Sequence, residues 1–105
     1  GDILSLDSIK YLIRPIAKKY KLDKVFVFGS YARGEEKTSS DLDLLIDGAD
    51  IHTMEEYLGL KDNLSETIGK DVDIVLGETV RKNVNTRSGR RFMEHFERDK
   101  VLIYG

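Results

Sequence analysis

The sequence predicts an α/β (α+β) domain, a mixed sheet with helices packed on one face, on three observations. Helical periodicity runs from Ile9 to Tyr20 and returns after Thr53. Short apolar runs rich in Val, Ile, Leu and Phe stand at 25–28, 42–46, 71–76 and 101–104. The resulting order is helix, strand, strand, helix, strand, helix, strand, which suits a sheet with one covered face. The other face is expected to carry polar chemistry. A length of 105 residues fits a single domain, 1–105, with one modest core.

The first helix rests on Ile9, Leu12, Ile13, Ile16, Ala17 and Tyr20, a stripe at helical spacing. Ser5 or Asp7 is placed to cap it. Pro15 removes one backbone donor inside it, so a kink or a solvent-facing gap is expected there. Val25–Phe28 reads as a buried strand. Leu42–Ile46 reads as its neighbour, joined to it by an exposed loop, 35–40, in which Ser39 and Ser40 are placed to hydrogen-bond Asp41. Thr53 and Glu56 form a capping box for a helix reaching Ile68, and Gly69 ends it. In Asp71–Leu76, alternation puts Val72, Ile74 and Leu76 on one face and Asp71, Asp73 and Val75 on the other. Residues 78–89 read as a polar loop. Phe92, Met93 and Phe96 mark a helix near 90–98, and Val101–Tyr104 a last strand.

Two features of 25–47 carry chemistry. Gly29-Ser30 follows the first strand directly, and glycine allows a tight turn and a close approach of backbone to ligand. The amides that follow, with the Ser30 hydroxyl, can form an anion-binding concavity, more so if Ser30–Arg33 begins a helix. Asp41 and Asp43 enter the second strand two residues apart, so they share a face with α-carbons roughly 6.6 Å apart. Two such carboxylates suit a hard cation, magnesium above all, bridging to phosphate. Asp47 reads as a surface turn residue and His52 as a surface or cap residue.

Charge is segregated. Residues 25–80 hold 4 basic and 13 acidic side chains, whereas 1–24 hold 6 and 3 and 81–105 hold 7 and 3. An acidic centre suits cations; basic flanks suit phosphate or an acidic partner, or are solvated helix faces. The basic stretch of Arg81, Lys82, Arg87, Arg90 and Arg91 has no interleaved aromatics, so direct nucleic-acid binding is not expected. The chain has no cysteine. Thiol catalysis, disulfides and zinc–cysteine sites are therefore excluded. No apolar run reaches membrane-spanning length and no signal-peptide pattern opens the chain, so a cytoplasmic protein is expected. Neither GxxxxGK[ST] nor GxGxxG occurs, which excludes P-loop and Rossmann sites of those forms.

GSYARG followed by SDLDLLID, with VDIV further on, resembles the signature of the polymerase-beta-type nucleotidyltransferase superfamily. The chain looks most like the minimal nucleotidyltransferases, many of which are antitoxin partners of HEPN-domain toxins. The resemblance covers Ile9–Val75. It implies a third carboxylate at Asp73 and two magnesium ions held by Asp41, Asp43 and Asp73. It further implies a nucleoside triphosphate, ATP, on Gly29 and Ser30, and transfer of AMP to a hydroxyl, with a HEPN toxin tyrosine as acceptor. Arg33 either steadies phosphate charge or braces the acidic loop. The alternatives are a non-catalytic module that covers a partner toxin, and a small-molecule nucleotidyltransferase.

Overall fold

In the computed structural model, residues 4–35 and 41–105 are described. The expected hydrogen bonds of Ser39 and Ser40 to Asp41 lie outside them. Helix α1 spans Leu6–Lys19, and Ser5 is its N-cap, accepting from the Ser8 amide. Pro15 lies on its exposed side, where the missing donor faces water. Strand β1 is Lys24–Phe28 and β2 is Leu42–Asp47. Helix α2 covers Met54–Ile68 and β3 Val72–Leu76. Thr53 accepts from the Glu56 amide at 3.1 Å, while the Glu56 carboxylate reaches back to the amide of His52, one residue before the cap. Gly69 closes α2 at φ +81°.

The expected loop over 78–89 is mostly helical. Helix α3 runs Gly77–Lys82 and α4 runs Arg87–Asp99, followed by β4 at Val101–Tyr104. Side-chain caps order the junction that composition left polar. Asn83 Nδ2 donates to the Thr79 carbonyl, and Thr86 both donates to the Asn83 carbonyl and accepts from the Gly89 amide.

The sheet order is β3-β2-β1-β4. β1 is antiparallel to β2 and β4, and β2 is parallel to β3. A parallel pair needs a crossover, which α2 supplies. Alternation sends Val25, Val27, Leu42, Leu44, Ile46, Val72 and Ile74 to one face. There they pack in one core with Ile9, Ile13, Ile16, Leu60 and Leu64 of α1 and α2. On the opposite face, Phe26 and Phe28 of β1 meet Phe96 and Phe92 of α4 edge-to-face, with ring centroids 5.4–5.8 Å apart. That face is thus covered over β1. Over the ends of β2 and β3, Asp43 is half-buried and Asp73 exposed.

Candidate active site

Register builds the site. Asp43 lies opposite Phe28 in β1 and opposite Asp73 in β3, so adjacent strands bring the two carboxylates to the same level on the same face. Asp41 stands just before β2 and is exposed. Gly29 follows Phe28 with φ +73°, and a Cβ there would meet Asp43 Oδ2 at 2.5 Å. Both its backbone angle and this contact therefore require glycine. The turn and the carboxylate touch each other directly.

Beyond Gly29 the chain makes one tight turn, without the helix start considered for Ser30–Arg33. The Arg33 amide donates to the Gly29 carbonyl at 3.1 Å and the Glu35 amide to the Ser30 carbonyl at 2.9 Å. Among the described residues, the amides of Ser30, Tyr31 and Ala32 donate to no backbone carbonyl, so they remain available at the turn. Tyr31 roots the turn in the core, with its ring buried and Lys70 Nζ 4.7 Å from its centroid. The phenol oxygen is buried and has no hydrogen-bond partner among the described residues. Sequence reasoning missed this anchor; a tyrosine between Ser30 and Ala32 reads as part of a polar turn.

Of the two roles open for Arg33, its contacts are those of a brace. Its Nε meets Glu35 at 3.1 Å, and an Nη meets Asp99 at 3.5 Å from the end of α4. Asp99 also takes two nitrogens of Arg98, at 3.0 and 3.1 Å. Arg98 first, then Arg33, holds the Asp99 carboxyl below its ordinary range. Asp43 is pushed the other way: burial raises its pKa, and the charges of Asp73 and Asp41 raise it further against a smaller opposing effect of Arg33. Among the described residues, like charge at Asp43 outweighs the positive charge of Arg33. Asp73 has Lys61 Nζ at 3.9 Å, an exposed and weak pairing.

The donor set fits a hard divalent cation, since all three side chains are carboxylates and two face each other across paired strands. Among the described residues no three acidic, histidine or cysteine side chains close into a ready-made metal cluster. Asp47, expected as a turn residue, ends β2 and is bound to Arg81 at 2.8 Å. His52 is exposed and bonds Asp50, in keeping with a surface role.

The profile of the polymerase beta nucleotidyltransferase family matches residues 12–104. This chain belongs to that family. The resemblance seen in the sequence, to the minimal nucleotidyltransferases, holds, and it extends past β3 to the last strand. An inferred protein adenylyltransferase of Methanocaldococcus jannaschii is 32% identical over 84 residues, covering 80% of this chain and 90% of the relative. A solved structure described as an inferred minimal nucleotidyltransferase superposes with a TM-score of 0.69 at 29% identity, covering 96% of this chain and 98% of that one. A chain of the complex between the tri-AMPylated Shewanella oneidensis HEPN toxin and its MNT antitoxin shares the fold, with a TM-score of 0.64 at 18% identity. It covers 95% of this chain and 72% of that one. No helix among the described residues of this nucleotidyltransferase is long and apolar enough to cross a membrane.

Proposed function

We propose that this nucleotidyltransferase, acting as one domain, moves AMP from ATP onto a hydroxyl of a partner protein, with a HEPN-type toxin tyrosine as acceptor. The observation that carries the reading is the level placement of Asp43 and Asp73 beside Gly29, where burial and the charges of Asp73 and Asp41 raise the pKa of Asp43. The names of the relatives, which speak of adenylyl transfer and of an AMPylated toxin, support the nucleotide and the class of acceptor.

In this reading the amides of Ser30, Tyr31 and Ala32 and the Ser30 hydroxyl bind the β- and γ-phosphates. Asp41, Asp43 and Asp73 are the residues that would hold two magnesium ions. When bound, those ions neutralise phosphate charge and steady the entering and leaving oxygens. Asp73, the more exposed of the in-register pair, lies on the open side and takes the proton of the acceptor hydroxyl. That oxygen bonds to the α-phosphorus as the bond to the β-phosphate bridging oxygen breaks, and pyrophosphate leaves. Arg33 holds the turn against α4 and adds positive charge near Asp43. Positioning and charge neutralisation thus do most of the work.

The test is intact-mass analysis of a protein that co-purifies with this chain, incubated with the enzyme, ATP and magnesium. A gain of one or more AMP units is expected. If the partner binds but gains no mass with any nucleotide, the chain is a non-catalytic module covering its partner.

A further inference from the structure

The N-terminal half of α4 breaks a rule that the other helices keep. Asp7 stands in the first turn of α1, Glu55 and Glu56 in that of α2 and Glu78 in that of α3, where negative charge complements the helix dipole. The first turn of α4 has no acidic residue, and Arg87, Arg90 and Arg91 crowd its first two turns. Cations there oppose the dipole and repel each other at the four-residue spacing. Arg90 is partly satisfied, donating to the Asn85 carbonyl at 2.7 Å. Among the described residues Arg87 and Arg91 have no ion pair or hydrogen bond. With His95 they form a stripe at i, i+4, i+8, and together with Ser88 and Phe92 they line a cavity of about 400 Å³. Phe92 stacks edge-to-face on Phe28, the residue opposite Asp43. The stripe therefore borders the carboxylate site through one pair of rings.

We infer that this stripe docks an acidic segment of the acceptor protein, which delivers its hydroxyl to the site. The inference rests on the nucleotidyl-transfer reading and adds the chemistry of the partner. Two unpaired arginines, with His95, whose Nδ1 lies 3.5 Å from Arg98 Nη2, span roughly 12 Å of helix, the reach of a short run of Asp or Glu. They are too few for the many phosphate contacts that drive nucleic-acid binding. Other cations nearby are engaged: Arg81 on Asp47, Lys82 on Glu78 and Arg98 on Asp99. Asp43 and Asp73, on the neighbouring surface, repel a phosphodiester chain, whereas a protein segment can place carboxylates on α4 and a neutral hydroxyl over the site. Half-buried Phe92 provides an apolar contact beside the charges.

The probe is a fluorescent random copolymer of glutamate and tyrosine, followed by anisotropy, with single-stranded RNA of matched length as the second arm. The full chain should bind the acidic copolymer more tightly than RNA. Arg87→Glu with Arg91→Glu should weaken copolymer binding about tenfold or more, and Arg90→Glu less than about threefold. The paired reversal should leave Tm unchanged or higher, because it places acidic residues in the early turns of α4. Binding of ATP with magnesium, measured separately, should stay within about twofold of wild type, which separates loss of docking from loss of the nucleotide site. Tighter binding of RNA than copolymer, or copolymer affinity unmoved by the paired reversal, overturns the inference.

Discussion

Asp43 and Asp47 sit on one strand and one face, four residues apart, and each is approached by a glycine. A Cβ at Gly29 would strike Asp43, and one at Gly77 would strike Asp47. Their surroundings then diverge. Asp47 is answered by Arg81 at 2.8 Å. Among the described residues Asp43 has no ion pair; the nearby Arg33 is committed to Glu35 and Asp99, and the charges of Asp73 and Asp41 act on Asp43 more strongly than that of Arg33. The same residue type, strand face and glycine neighbour serve structure at one end and candidate chemistry at the other. What separates them, among the described residues, is that an arginine pairs with Asp47 and none pairs with Asp43.

The largest expected effect breaks or keeps that contrast outright. Asp43→Asn should lower nucleotidyl transfer by about 10²- to 10³-fold, while Asp47→Asn leaves it within about threefold. Steady-state transfer assays on both variants decide this, and equal losses would erase the distinction. The glycines come next. Gly29→Ala forces a side chain into a left-handed angle, at about 1–2 kcal/mol, and displaces the Asp43 carboxylate, so transfer should fall with stability. Gly77→Ala should cost stability and leave transfer in the surviving folded fraction intact. Thermal melts paired with activity per folded molecule separate the two.

Stability should move in opposite directions when Asp43 is neutralised and when the Asp47–Arg81 pair is broken. Asp43 has a raised folded pKa, so its ionisation works against the fold. The penalty is absent below the ordinary carboxylate pKa, grows as pH rises through the raised folded value, and is complete above it. Asp43→Asn should therefore raise Tm at neutral pH, a gain that vanishes in acid. Arg81→Ala, which removes the partner of an exposed pair, should lower stability by about 0–1 kcal/mol. A pH series of melts without metal tests both. The smallest effect concerns the brace. Asp99→Asn should raise the nucleotide KM about two- to fivefold with kcat little changed, and Asp99→Glu should restore it. If kcat falls while KM holds, Asp99 does more than position the turn.

Much of this was legible along the chain because it is written in local chemistry. Helix α1 follows from a stripe at helical spacing with Ser5 before it, and α2 from Thr53, Glu56 and Gly69. Alternation alone put Asp73 on the face away from Val72 and Ile74, and Gly29 marked the turn at the end of a β-prone run. These features depend on residues one to four positions apart, and so a sequence determines them by itself. The tertiary structure decided what depends on partners far along the chain. Arg33 and Asp99 are 66 positions apart and Asp47 and Arg81 34, and neither pair has a periodicity that announces it. The level placement of Asp43 and Asp73 is a matter of strand register, where a shift of one residue would send a carboxylate into the core. Helix α4 over Phe26 and Phe28 likewise arises from packing between distant segments, and its exposed arginines acquire their place beside the site only once that packing has formed.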